Sequence, residues 1–82
     1  MNLNEIRAAI DRIDSEILKL LNDRMEQALL SRKFKTSVED LEREKAIIER
    51  LKSLPNPLLE PEFIESIYSL IFTWSKKLQE EL

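Results

Sequence analysis

The chain has 82 residues, contains no Cys and no His, and carries a formal net charge of −3 at pH 7. Without Cys or His it excludes disulfides, the commonest metal ligands and every catalytic arrangement that depends on an imidazole, so we expect no metal and no cofactor. The negative charge, the charged N-terminal residues and the absence of a long apolar run predict one soluble, cytoplasmic domain over residues 1–82 that binds neither nucleic acid nor a membrane.

The first predicted helix runs from about residue 3 to about residue 35. A helix of this length measures about 50 Å, whereas a compact domain of this size is about 30 Å across. Because the later helices are too short to cover it, we predict an obligate homodimer with first helices side by side; the alternative is a bent first helix in a monomeric three-helix bundle. Its apolar seam has the alternating spacing of packed helices and consists of Leu3, Ile6, Ile10, Ile13, Ile17 and Leu20.

Three cations on this helix suggest an anion site. Arg24 and Lys35 are 11 residues apart, so they share one helical face to within about 20°, with the small residues Ala28 and Ser31 between them. Arg7 points about 100° away, so it would serve such a site from another direction or another subunit. Taken singly, each cation has an ordinary role. Arg24 would extend from the seam so that its charge reaches solvent, Lys35 would complement the dipole at the helix C-terminus, and Arg7 would be a surface residue.

The second predicted helix runs from about 38 to 53. Ser37, followed by Asp40 three residues later, resembles a capping box. Glu44 lies on the core-facing side, where a carboxylate needs a donor, and Arg43 lies beside it on the flank. An interior ion pair with a neighbouring cation is the alternative to a functional role for Glu44.

The third predicted helix opens at residues 60–62, with Pro at a first-turn position. Ser75 and Gln79 lie one turn apart on its apolar stripe. Each alone could be ordinary, the Ser bonding back to its own helix and the Gln solvated. Across the three helices, however, more cations than anions face inward. The pattern therefore predicts an all-α bundle that binds a small anion.

Three segments in order resemble the all-helical, AroQ-type chorismate mutases: LNEIRAAIDRIDSEILKLLNDR, LEREKAIIERL and FIESIYSLIFTWSKKLQ. The resemblance covers almost the whole chain. It implies an intertwined homodimer of three-helix chains with two shared active sites. It also implies the Claisen rearrangement of chorismate to prephenate in aromatic amino acid biosynthesis, with no cofactor, metal or covalent intermediate. By position it carries over the site residues Arg7, Arg24, Lys35, Asp40, Arg43, Glu44, Ser75 and Gln79.

The resemblance also implies catalytic roles at the two charged ends of the substrate. Arg24 and Arg7 of the partner subunit would clamp the two carboxylates, assisted by Ser75. Lys35 and Gln79 would donate hydrogen bonds to the ether oxygen, on which negative charge develops as the C–O bond breaks.

At the ring hydroxyl, the resemblance implies that Glu44 and the backbone near Asp40 bind this group, while Arg43 orients the Glu44 region. Asp40 follows Lys35 by only five positions, fewer than in the better-known members of the family. We therefore expect a short connection and a more open pocket.

Two other functions fit parts of the sequence. An isochorismate-pyruvate lyase shares this fold, and IRAAIDRID and KFKTS resemble such enzymes, but Glu44 and Ser75 favour the mutase. A non-catalytic helical dimerisation or regulatory module explains the seam, but it leaves Arg24, Glu44 and Gln79 without partners.

Overall fold

Three helices and two connections form the computed structural model, which describes residues 1–81. Helix α1 spans Leu3–Ser31 and passes into a 3-10 turn at Arg32–Phe34, α2 spans Leu41–Lys52, and α3 spans Pro61–Glu81. The described residues contain no strand, so the predicted all-α class with one long N-terminal helix is confirmed. Within the same range, no helix is long and apolar enough to cross a membrane.

The long first helix ends earlier than predicted. It begins regularly, since Asn2 caps it by accepting a hydrogen bond from the Glu5 backbone at 2.9 Å. At the other end, the Ser31 hydroxyl donates to the Ala28 carbonyl at 2.7 Å and the chain tightens into the 3-10 turn. Lys35 then adopts an extended conformation, with φ −120° and ψ 148°. The helical stretch as a whole therefore ends at Phe34, close to the predicted end at about residue 35, but its last turn is 3-10 and not α-helical.

The start of α2 is set by Asp40 and not by Ser37. The Asp40 carboxylate accepts a hydrogen bond from the Arg43 backbone at 3.0 Å, as an N-cap residue does. Ser37 instead accepts from the Glu39 backbone at 3.2 Å, within the connection. The predicted Ser37 capping box and the start at about residue 38 are therefore wrong. Asp40 is the better N-cap, because its carboxylate accepts the backbone hydrogen bond and its negative charge also interacts favourably with the helix dipole.

Helix α3 packs against both α1 and α2 and so holds the chain together. It starts at Pro61, in agreement with the prediction, and the Glu60 carbonyl accepts the backbone N–H groups of Phe63 and Ile64 at 3.0 and 3.2 Å. An ion pair between Lys52 and Glu65 joins α2 to α3.

The core of the single chain is small, and α1 contributes no buried residue to it. The molecule is 52 Å long, and the six seam residues of α1 remain 42% to 60% exposed. A face this apolar is unstable in water unless something covers it. The predicted homodimer, which would cover it, stays a prediction. The buried residues of the described chain are Ile47, Ile64, Ile71, Ser75 and Gln79.

Candidate active site

A cavity of about 350 Å³ lies where the end of α1, the start of α2 and the end of α3 meet. This volume falls within the range of about 300–1,000 Å³ that is usual for small-molecule sites. Seven of the eight predicted site residues line it, and Arg7 does not. The lining residues are Arg24, Gln27, Ala28, Ser31, Lys35, Val38, Asp40, Arg43, Glu44, Ile47, Phe72, Ser75, Lys76 and Gln79.

Two half-buried cations of the cavity come from α1 and the segment after it. The Arg24 guanidinium lies 5.7 Å from the Tyr68 ring centroid and 5.6 Å from that of Phe72, so aromatic rings of α3 restrict its position. Lys35 reaches the cavity from extended backbone, whose carbonyl accepts a hydrogen bond from Arg32 at 3.2 Å. Arg24 and Lys35 therefore both line the cavity, as predicted. They do not share one helical face, because Lys35 lies beyond the end of α1.

Small and apolar residues shape the space between these charges. Ala28 and Ser31 line the cavity, as predicted for the gap between Arg24 and Lys35. The side chain of Ile47 and the other hydrophobic side chains of the lining form the apolar part of the cavity wall. Such a wall lowers the local dielectric, so that hydrogen bonds and charges act more strongly on a bound molecule than they would in water.

Two of the five buried side chains are polar, and both line the cavity. Ser75 is 6% exposed and Gln79 is 5% exposed. The Gln79 Nε2 donates to the Ser75 carbonyl at 3.2 Å and contacts the Ser75 Oγ at 3.1 Å. The Gln79 Oε1 is buried and has no hydrogen-bond partner among residues 1–81. Leaving a buried polar atom unpaired costs about 1–3 kcal/mol of stability. A catalytic role is one explanation for such an atom in a folded protein.

The partner of Glu44 is Lys76, which the sequence analysis missed. The Lys76 Nζ lies 3.2 Å from the Glu44 Oε2 and 3.3 Å from the Glu39 Oε1. The hydrogen bond to Glu44 raises the pKa of Lys76 above its ordinary value; burial opposes this effect and the hydrogen bond to Glu39 adds to it. The sequence spacing could have revealed this residue, because Lys76 directly follows Ser75 and lies less than one helical turn before Gln79.

Asp40 and Arg43 lie at the mouth of the site and are both exposed. The Asp40 carboxylate accepts from the Arg43 backbone, and the Asp40 carbonyl accepts from the Glu44 backbone at 3.0 Å. Both interactions orient the first turn of α2, which carries Glu44. Asp40 therefore has a structural function as the N-cap, whatever it does for a ligand.

Arg7 is exposed and lies far from the cavity of its own chain. It precedes Arg24 by 17 positions, which is about 25 Å along a helix axis. An arginine side chain is much shorter than this distance. Arg7 can reach a cavity of this kind only in another copy of the chain.

The charges of the cavity lining favour an anion. Four cations (Arg24, Lys35, Arg43 and Lys76) face two carboxylates, which leaves a formal excess of two positive charges. The described residues contain no group of three or more acidic side chains that could hold a metal ion. The site offers positive charge and hydrogen-bond donors in fixed positions, an arrangement that stabilises developing negative charge.

Comparison with known proteins identifies the family. The sequence profile described as "Chorismate mutase type II" matches residues 6–80. The chain belongs to this family. Its fold is also similar to the crystal structure of chorismate mutase from Helicobacter pylori in complex with prephenate, with a TM-score of 0.91 and 33% sequence identity over 96% of this chain and 90% of that one. No curated protein matches the sequence.

The match to the chorismate mutase type II family extends over every predicted site residue, from Arg7 to Gln79. The recognition of the family from the sequence is therefore confirmed. The roles of the individual residues remain predictions.

Proposed function

We propose that this type II chorismate mutase converts chorismate to prephenate, the step that commits chorismate to phenylalanine and tyrosine. The main observation is the cavity, whose lining carries more positive than negative charge and so favours a substrate with two carboxylates. Family membership and the similarity to a chorismate mutase solved with prephenate support the same reaction.

The rearrangement suits a site that has neither a nucleophile nor an imidazole. The ether C–O bond breaks while a C–C bond forms within the same molecule, so no proton, electron or group passes to the protein. The protein contributes by holding the two reacting ends together and by stabilising negative charge on the ether oxygen. Arg, Lys and amide side chains are sufficient for both tasks.

The two carboxylates would be bound by guanidinium groups. Arg24 is held by the Tyr68 and Phe72 rings and presents a planar fork that matches one carboxylate. Arg7 of a second copy would bind the other, and the Ser75 hydroxyl would assist. Such a clamp selects the compact substrate conformation in which the reacting carbons lie close together.

The ether oxygen would accept hydrogen bonds from Lys35 and Gln79. The Gln79 amide carries two N–H groups; one can remain on the Ser75 carbonyl while the other leaves the Ser75 Oγ and donates to the substrate. Lys35 supplies a compact positive charge that suits a single oxygen. At the opposite end, the Glu44 carboxylate would accept the ring hydroxyl, while Asp40 and Arg43 orient the start of α2.

A two-fold dimer would bring Arg7 of one copy to the cavity of the other. The exposed seam of α1 favours pairing with a second α1. In an antiparallel pair whose two-fold axis crosses α1 near its middle, position 7 of one helix faces about position 27 of the other, because the two are equally far from the opposite ends of Leu3–Ser31. Gln27 lines the cavity, so a dimer in this register would have the second Arg beside the site.

The proposed reaction is tested by offering chorismate and isochorismate to the purified protein and identifying the products. We expect loss of chorismate absorbance and formation of prephenate. Release of pyruvate from isochorismate would instead identify a lyase. A folded dimer that is inactive on both compounds would indicate a non-catalytic module.

The shared site predicts recovery of activity in mixed dimers. Arg7→Ala and Arg24→Ala should each be nearly inactive alone, but a heterodimer of the two rebuilds one of its two sites. After complete subunit exchange at equal amounts, half of the dimers are mixed, so about a quarter of wild-type activity should return. Steady-state rates before and after exchange measure this effect.

The matched control for this experiment mixes Arg24→Ala with Lys35→Ala. These two residues belong to the same chain's cavity, so exchange leaves every site defective and no activity should return. If verified exchange of Arg7→Ala with Arg24→Ala restores nothing, Arg7 does not complete the site of a second copy.

Replacing Gln79 with an acid predicts a pH-dependent enzyme. In Gln79→Glu the carboxyl lies where the amide is now 5% exposed, so burial raises its pKa. The ionised form cannot donate to the ether oxygen, and kcat at pH 7.5 should fall about 100-fold. Activity should rise as the pH falls and the carboxyl becomes protonated. The measurement is kcat/KM from pH 4.5 to 8.5, with the wild type on the same buffers; a flat profile would remove Gln79 from this role.

A further inference from the structure

Lys76 connects three parts of the chain at the cavity. It lies on α3 between Ser75 and Gln79, and its ammonium group contacts Glu44 on α2 and Glu39 in the connection between α1 and α2. The Lys76 and Glu44 side chains are 25% and 22% exposed, so water screens this pair only partly. Lys76 adds to the positive charge of the cavity, but the proposed mechanism gives it no contact with the substrate.

The ion pair holds the Glu44 carboxylate in position. A carboxylate beside a bound dianion experiences repulsion, and it would turn away without a counter-charge. Lys76 supplies that charge at the Oε2 atom and leaves the Oε1 atom to accept a hydrogen bond from a ligand hydroxyl. An ionised carboxylate is only an acceptor, so it binds a hydroxyl group in one defined orientation.

The second contact fixes the segment that carries Lys35. Glu39 belongs to the short connection between the 3-10 turn and α2, and its carboxylate lies 3.3 Å from the Lys76 ammonium. This ion pair joins the connection to α3 beside the cavity, whose lining includes Lys76 but not Glu39. Because Glu39 is 55% exposed, its contact with Lys76 is weaker than the contact with Glu44.

We propose that Lys76 is a positioning residue that holds the Glu44 carboxylate in place as the acceptor for the substrate's ring hydroxyl and joins the residue 35–40 connection to α3 beside the site. This inference rests on the proposed function. The raised pKa of Lys76 is consistent with it. Because the pKa of Lys76 is raised, its ion pairs stabilise the fold fully below the ordinary lysine pKa. This stabilisation is lost only as the pH rises through the raised pKa, so both ion pairs form at neutral pH.

A kinetic double-mutant cycle tests whether Lys76 acts through Glu44. Lys76→Met should lower kcat/KM about 10- to 100-fold, because a displaced Glu44 misplaces the substrate. The loss should appear mainly in KM, since the hydroxyl contact is made in both the bound substrate and the transition state. In a Glu44→Gln background, Lys76→Met should change kcat/KM less than about 3-fold. Lys76→Arg should recover part of the activity because it restores the charge.

Lys77→Met is the matched control. It removes the same charge one position later, where the side chain is exposed and its ammonium lies 5.4 Å from the Trp74 ring centroid. Its kinetics should match the wild type. Equal losses from Lys76→Met with and without Glu44, or wild-type kinetics for Lys76→Met, would overturn the inference while the proposed function stands. A wild type that does not turn over chorismate would overturn the proposed function and this role with it.

A measurement on the free protein tests the ion pair without catalysis. NMR titration of the lysine side chains should show that Glu44→Gln lowers the pKa of Lys76, because the largest interaction that raises it is removed. An unchanged Lys76 titration in a folded Glu44→Gln protein would show that the pair does not form in solution, and the inference would fail.

Discussion

Lys35→Ala should reduce kcat about 100- to 1,000-fold while KM changes little. In the proposed mechanism the ammonium group acts on the ether oxygen, where negative charge develops only as the C–O bond breaks. Removing a group that acts mainly in the transition state lowers kcat more than it raises KM. The loss of chorismate absorbance, followed over a range of substrate concentrations, separates the two constants.

Lys33→Ala is the control for this variant. Lys33 lies two residues earlier, in the 3-10 turn that precedes Lys35; it is exposed and does not line the cavity. It should keep wild-type rates. Circular dichroism and size-exclusion chromatography should show that both variants remain helical and keep the wild-type assembly. Wild-type kcat in Lys35→Ala would show that the assignment of the ether-oxygen donor is wrong.

Arg24→Ala should lower kcat/KM by at least as large a factor as Lys35→Ala does. KM should rise and kcat should fall. The guanidinium is held by two aromatic rings and is the only arginine of α1 that lines the described cavity. Its loss removes a carboxylate contact that both binds the substrate and selects its reactive conformation. Arg24→Lys keeps the charge but loses the planar fork, so it should remain impaired by about 10-fold or more.

Arg12→Ala is the matched control on the same helix, since Arg12 is exposed and lies outside the cavity. It should behave as the wild type in the steady-state assay. Loss of the contacts to Tyr68 and Phe72 should cost Arg24→Ala only about 1 kcal/mol of stability. Urea unfolding measures this cost and separates it from catalysis. An Arg24→Ala protein with full activity would refute the carboxylate clamp.

The helices could be predicted from local patterns because each depends mainly on nearby residues. The three–four spacing of apolar positions from Leu3 predicted α1, and Pro61 marked the start of α3. Between residues 31 and 41, the start of α2 was predicted wrongly and the change from α-helix to a 3-10 turn was not predicted. There Ser31, Ser37 and Asp40 each offer local hydrogen bonds to the backbone, and the sequence pattern does not rank such competing bonds.

The amino-acid sequence by itself determined the all-α fold, the absence of imidazole and thiol chemistry, and seven residues that the folded chain brings to one cavity. Side chains that point inward on helices follow from helical periodicity, and the family resemblance supplied their roles. Only the tertiary structure decided that Lys76 is the partner of Glu44 and that the Gln79 amide is buried with one atom unpaired. Contacts between helices depend on how the helices approach one another and on their relative rotation, which no spacing along a single helix specifies.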